Sequence, residues 1–298
     1  MINDRLKPHV HKIKGAKYLA FFDVLNGDFY HFRPKGDIAS VRKELKEAGL
    51  IFETPTIVPY KTKLNVLERD KEFVLRKLQI RINGCGEDNC WNLKKTGDTK
   101  KKMTIHTVEE IIENLHRIPI YQLFVYAEAY DREIILPLLN NLYFEELQFF
   151  LEQDITDDEF EILKHRTKSE VRVEKPYPFP IREIITDAYE FFYNHSFNSC
   201  LGNQVAIDTQ GEVRPCLWWP SEVGNIHREG LRDMIFEGRF NRFWETTKNE
   251  IEVCKDCEYI YNCHDCRLNS INPDEDFLAK PIFCNYNPYT GEGNKEID

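Results

Sequence analysis

Between Cys254 and Cys266 the chain reads C-K-D-C-E-Y-I-Y-N-C-H-D-C, four thiols in thirteen residues. A free cysteine behaves as a small hydrophobe and belongs in a core, whereas this run is polar and offers none. A Cys-x2-Cys pair turns two thiolates toward one metal centre across a tight bend. A second pair just beyond completes that site or serves another. Zinc in an all-thiolate, four-coordinate site and iron in sulfide-bridged clusters both fit such a run. The remaining alternative is disulfides. The N-terminus, Met1-Ile2-Asn3-Asp4-Arg5, has no apolar signal region behind it, and nine cysteines is an odd number. A cytoplasmic chain with reduced, metal-binding thiols is therefore expected.

Composition narrows the partners. The net charge is −10 and the densest basic block is Lys100-Lys101-Lys102, so nucleic acid is not an expected partner. No apolar run approaches the roughly 20 residues of a membrane span, and no membrane association is expected. With 298 residues, 42% of them hydrophobic, the chain is long enough for a sizeable core or for two to three domains.

Three segments follow from patterning. In residues 1–62, apolar runs at Tyr18–Val24 and Phe29–Phe32 flank Leu25-Asn26-Gly27-Asp28, and Asn-Gly is a strong hairpin signal. Ile38, Val41, Leu45 and Ala48 then share a helical face that Gly49 ends, giving a small α+β module. A hairpin followed by a helix leaves a sheet edge open, and such an edge can capture a peptide strand or simply belong to a capping subdomain. Pro55 and Pro59 mark a boundary near residue 60.

Residues 63–180 alternate strand and helix. Strands are predicted at Leu78–Ile82, Tyr121–Tyr126, Leu147–Leu151 and Val171–Val173. Helices are predicted over Val108–Leu115, over Ile134–Leu142, and from a Thr156/Glu159 capping box to Leu163. This order implies an α/β fold with a parallel sheet, and four strands are too few for an eight-stranded barrel, so the barrel is open or partial. Pro176, Pro178 and Pro180 form a linker. In residues 181–298, Ile181, Ile184, Ile185, Ala188, Phe191 and Phe192 predict a helix, and Val205–Asp208 with Gly211–Arg214 a hairpin. Leu231, Met234, Ile235, Phe240, Phe243 and Trp244 predict a helical core stripe.

The C-terminal cysteines read Cys200-x10-Gly211-x4-Cys216, then Cys254-x2-Cys257-x5-Cys263-x2-Cys266, then Cys284. This resembles the SPASM domain, the auxiliary iron-sulfur module of radical S-adenosylmethionine (SAM) peptide maturases. The family pattern is C-x(9–15)-G-x4-C, a gap, C-x2-C-x5-C-x3-C, a gap, and C. The departure is the last pair, x2 here against x3. Gly224-Asn225-Ile226 stands where the family commonly carries G-N-I. The resemblance implies two [4Fe–4S] clusters. Cys254, Cys257, Cys263 and Cys284 would hold one, and Cys200, Cys216 and Cys266 the other. His195 is a candidate fourth ligand to the latter, near where some family members have a cysteine. Zinc remains the alternative metal, although one zinc site leaves Cys200, Cys216 and Cys284 without a role.

Radical SAM enzymes carry C-x3-C-x2-C after the first barrel strand, where three thiolates hold the cluster that binds SAM. The corresponding stretch here, Asn83 to Leu93, keeps Cys85 and Cys90 at x4 spacing, and Leu93 stands at the third position. Leucine cannot ligate iron. The glycine-rich G-G-E-P segment that cradles SAM corresponds to Tyr126-Ala127-Glu128-Ala129, in which Glu128 alone is kept. About 115 residues separate Cys85 from Cys200, short for a complete six-stranded partial barrel. The chain thus resembles a radical SAM/SPASM protein with a truncated barrel and a lost SAM motif. Lys14-Gly15-Ala16-Lys17 and Cys284-Asn285-Tyr286-Asn287-Pro288-Tyr289-Thr290-Gly291 further resemble the SPASM protein of grasp-with-spasm systems. Those systems pair it with an ATP-grasp ligase and a ribosomally made precursor peptide. The N-terminal module is similar to the RiPP precursor recognition element. Three functions follow as expectations: a precursor-binding maturation protein, an atypical radical SAM enzyme using Cys85, Cys90 and Glu128, or an iron-sulfur electron carrier.

Overall fold

The computed structural model describes residues 6–32, 38–52, 75–84, 101–116, 118–166, 171–174, 184–270, 276–282 and 284–293. The boundary near residue 60, the Cys85–Leu93 segment and the three linker prolines lie outside these residues. The chain forms two compact units, one of residues 1–67, 181–199 and 246–298, the other of 68–180 and 200–245.

In the first unit, strands β1 (Val10–Lys14), β2 (Leu19–Asp23) and β3 (Asp28–Phe32) form an antiparallel sheet in the order β1-β2-β3. The β2–β3 connection is a four-residue loop rather than a two-residue turn, since Asp23 pairs with Asp28. Gly27 takes the left-handed conformation there (φ 73°), and the Asp23 carboxylate accepts from the Leu25 and Asn26 amides at 3.0 and 3.3 Å. Helix α1 (Ile38–Glu47) covers one face, where Val10, Phe21, Phe32, Val41 and Leu45 are buried. Gly49 (φ 70°) stands just past its end.

The other face of the same sheet is also buried. Ile13, Ala20, Phe22 and Val24 pack with Phe191 of helix α2 (Ala188–Tyr193) and with Ile260. The Phe22 and Phe191 ring centroids are 4.8 Å apart. Burial on both faces explains why β2 is a continuous apolar run instead of an alternating one. Helix α2 begins later than the apolar spacing predicts. Ile184 bridges to Cys263, the Ile185 amide donates to Asn262 O at 2.6 Å, and Asp187 caps the helix by accepting from Glu190 N. That backbone is committed to the cysteine segment and cannot also be helical.

The second unit is a mixed α/β layer. Strands β4 (Leu75–Arg81), β5 (Ile120–Ala127), β6 (Phe144–Leu151) and β7 (Val171–Glu174) lie parallel in sequence order. Helices α3 (Ile105–Leu115), α4 (Arg132–Asn141) and α5 (Asp157–Arg166) connect them. Thr104 caps α3 through the Thr107 amide, and the predicted Thr156/Glu159 box caps α5 with bonds of 2.8 to 3.3 Å. Strand β8 (Gln204–Ile207) pairs parallel to β4 on its free side, followed by antiparallel β9 (Glu212–Arg214) and β10 (Gly224–Asn225). The predicted hairpin therefore extends the parallel sheet, giving the order β10-β9-β8-β4-β5-β6-β7.

Leu123, Val125, Phe149, Val205 and Ile207 pack with α3 and α4. Phe124, Tyr126, Phe150 and Ala206 form a separate cluster with Leu217. The apolar stripe after residue 230 divides into α6 (Leu231–Phe236) and α7 (Asn241–Glu245), because Gly238 (φ 73°) interrupts it.

Phe22 is fully buried between β2 and α2. Phe22→Ala is expected to destabilise the first unit by about 3–5 kcal/mol, read as a lower denaturation midpoint in guanidinium.

Candidate metal centre

Cys254 is presented by an unusual turn. Val253 has φ 66° and ψ −42°, and the Cys254 amide donates to Glu252 O at 2.7 Å. This three-residue γ-turn has the hand that L-residues avoid, especially β-branched ones. Neighbours hold it: Ile251 is fully buried, and the Glu252 amide donates to Leu278 O at 3.1 Å. A 3-10 turn over Cys254–Asp256 follows, and the Cys257 amide donates to Cys254 O at 3.0 Å. One tight bend thus carries the first Cys-x2-Cys pair.

The thiols of this unit gather electrostatically. Burial pushes the Cys254 thiol up to about 11, with Lys248 opposing and Asp265, Cys263 and Cys284 adding to the rise. Burial likewise raises Cys257, which feels Glu258, Cys263 and Cys254. The charges of Cys263 and Cys284 thus reach Cys254, and those of Cys263 and Cys254 reach Cys257. Sequence alone did not reveal the charges set among them. Lys248 is buried with its Nζ 3.4 Å from Cys263 Sγ and 3.9 Å from Asp265. Burial would strip its proton, but Cys263, Asp265 and Cys254 outweigh that and hold the ammonium charged.

Asp265 is itself buried. It accepts from Asn198 Nδ2 at 2.9 Å and pairs with Arg267, whose guanidinium also donates to Phe277 O and Ala279 O at 2.8 and 3.0 Å. The Asp265 amide donates to Ser199 Oγ at 2.7 Å. Burial alone would raise the Asp265 carboxyl, yet Arg267 and Lys248 hold it below the usual carboxylate range. The Asp265-Cys266-Arg267 order, charges of both signs around a thiol, was the available sequence signal.

The two motifs Lys14–Lys17 and Cys284–Gly291 meet the same segment. The Ala16 amide donates to Asp256 O at 2.7 Å, and Tyr289 Oη donates to Asp256 Oδ2 at 2.5 Å. Lys17 donates to Thr290 O. Glu258, fully buried, accepts from Tyr286 Oη at 2.5 Å and contacts His31 Nε2 at 2.8 Å. A Cβ on Gly15 would stand 2.8 Å from the Glu258 amide nitrogen, so no larger residue fits there without displacing backbone.

Cys200 and Cys216 belong to the second unit. Burial pushes the Cys216 thiol up to about 12, and the Cys200 charge adds to it. Cys216 follows β9, and the Leu217 amide donates to Gln79 Oε1 of β4 at 3.1 Å. Gly211 has φ 72°, and a Cβ there would lie 2.7 Å from His227 Nε2, which accounts physically for the glycine in the cysteine pattern. Cys266 is buried in the first unit.

His195 places Nδ1 2.8 Å from Phe191 O and stacks on Tyr261 at 3.5 Å between centroids, so Nε2 is the nitrogen left to ligate. Burial lowers its pKa and favours the neutral ring. Glu128 is exposed at the end of β5, with its amide donating to Asn83 Oδ1 at 2.6 Å. Cys85 and Cys90 lie outside the described residues.

The donor chemistry suits iron-sulfur binding. None of the seven described cysteines is joined in a disulfide. Thiolates are the donors that both an iron-sulfur cluster and an all-thiolate zinc site take.

Residues 199–258 match the SPASM family, an iron-sulfur cluster-binding domain. The match takes in Cys200, Cys216, Cys254 and Cys257 and ends before Cys263. No curated protein matches the chain. Among solved structures, similarity is found to BtrN in complex with AdoMet and 2-DOIA, at 12% identity and a TM-score of 0.35, over 65% of this chain and 94% of that one. It is also found to Streptococcus suis SuiB, at 11% identity and a TM-score of 0.32, over 90% of this chain and 97% of that one. Likenesses this distant carry no conclusion of their own. Among the described residues no helix is long and apolar enough to cross a membrane.

Arg267→Ala leaves the Asp265 carboxylate buried with Lys248 at 3.9 Å as its remaining cation. In the wild type the lowered Asp265 pKa contributes stability above its ordinary value, lost as pH falls through the folded one. The variant is expected to lose about 3–5 kcal/mol at pH 7. Protonation relieves the orphaned charge, so urea unfolding should show a smaller deficit at pH 5 than at pH 7.

Proposed function

We propose that the chain is a SPASM-type iron-sulfur protein of ribosomal peptide maturation. It holds a precursor peptide beside a partner enzyme, an ATP-grasp ligase, and has lost its own SAM chemistry. The observation that carries this reading is the SPASM match over residues 199–258, within which the buried Lys248 sets its Nζ 3.4 Å from Cys263 Sγ. Cys254, Cys257, Cys263 and Cys284 would hold one [4Fe–4S] cluster. Cys200, Cys216 and Cys266 would hold a second, with His195 Nε2 a candidate for its open position. Such clusters supply structural bracing and one-electron transfer.

The second unit is read as a truncated (β/α) barrel of radical SAM type, with β4–β7 as its strands and Glu128 the remnant of the SAM cradle. For the precursor, the outer edge of β3 is the candidate dock. Among the described residues β3 pairs with β2 alone, and an added strand would satisfy its free backbone groups. A second reading, electron transfer to a partner, is favoured by Lys248. A buried cation beside a cluster ligand stabilises the reduced, more negative state.

Anaerobic purification and reconstitution separate these readings. About eight irons per chain without SAM binding is the expected result. About twelve, with a SAM-perturbed EPR signal, would show an active radical SAM enzyme instead, and stoichiometric zinc without iron would remove the cluster assignment. Cys254→Ala/Cys257→Ala should lose about half the iron. Lys248→Met should keep the iron and lower one cluster potential, by on the order of 100 mV in an EPR-monitored titration.

A further inference from the structure

Outside the thiol set, a three-donor cluster stands in the second unit. His106 and Glu110 are four residues apart on α3 and so share one helix face, and their Nε2 and Oε1 atoms lie 3.4 Å apart. His227, from the turn after β10, points its Nδ1 at the other Glu110 oxygen and hydrogen-bonds it. The three ligand atoms all lie within 4.8 Å of one another.

The second imidazole is held by its surroundings. The His227 amide donates to Asn225 Oδ1 at 2.9 Å, and Asn225 Nδ2 donates to Gln210 O at 3.1 Å. The Nε2 side of the ring fills the space over Gly211, where a Cβ would come within 2.7 Å. That leaves Nδ1 as the nitrogen facing Glu110. The two imidazoles lie nearly parallel, at 21° with centroids 5.9 Å apart.

We infer that His106, Glu110 and His227 form a divalent transition-metal site of the zinc class, tying α3 to the β9–β10 segment. Two imidazoles and one carboxylate are borderline donors that suit zinc, cobalt or nickel, whereas magnesium and calcium prefer oxygen alone. Three protein ligands leave a coordination position for water, and His106, with a 72% exposed side chain, puts that position at the surface. The site shares no residue with the cysteines, so it stands apart from the iron-sulfur reading.

The test uses iron-sulfur-loaded protein, freed of loosely held metal by brief EDTA treatment and desalting, then given zinc sulfate. Zinc per chain is measured after equilibrium dialysis, and its coordination by zinc K-edge absorption. Wild type should bind one zinc more than His106→Ala/His227→Ala, with a nitrogen and oxygen shell. Its unfolding temperature should rise with zinc while the variant's does not. His106→Gln, a change at an exposed helix position that leaves the fold intact, should weaken zinc binding by about tenfold or more. Equal zinc in wild type and the single variant, or a shell containing sulfur, would overturn the assignment.

Discussion

The Asp265 carboxylate anchors the cysteine-rich segment. It is buried and charged, a state that requires full compensation. Arg267, Lys248 and Asn198 supply it from three directions, and each is tied elsewhere: Arg267 to the 277–279 carbonyls, Asn198 to Thr246 O. The polypeptide between Cys263 and Cys266 is thereby fixed by ion pairs and hydrogen bonds where apolar side chains are few. This is the usual problem of a small metal-binding loop, whose polar shell must be satisfied before thiolates can be brought together.

A second consequence concerns how the chain is divided. The sheet of the N-terminal module is closed on one side by its own helix and on the other by α2 and Ile260, residues drawn from the far end of the sequence. Glu258, Asp256 and the Lys14–Lys17 segment fasten the same union through polar contacts. The cysteine pattern, continuous as a sequence motif, is thus shared by two compact units. Cys200 and Cys216 follow the parallel sheet, and the later five cysteines follow the N-terminal sheet.

Much of this was legible in the residues. The cysteine spacing marked the segment that the SPASM match reaches, and buried parallel strands such as β5 and β6 are written as apolar runs and could be read directly. Strand β1 could not, because Val10 and Ile13 serve opposite faces and no period of two survives between them. The early start predicted for α2 failed for a non-local reason, since the Ile184–Ile185 backbone is claimed by Asn262 and Cys263. Gly238 breaks a stripe whose spacing alone reads as one helix. Lys248 was invisible because nothing in its own neighbourhood marks it; its significance comes from proximity to Cys263 and Asp265.

The γ-turn at Val253 links the two ends of the thiol set through main chain alone. The amide of Glu252 leans on Leu278 O, so the strained bend presenting Cys254 is braced by the strand of chain that leads on to Cys284. Truncation before residue 278 would therefore remove more than the last cysteine. It would take away the brace that keeps Val253 in a conformation it does not favour, and the first thiol of the run would lose its orientation along with the last.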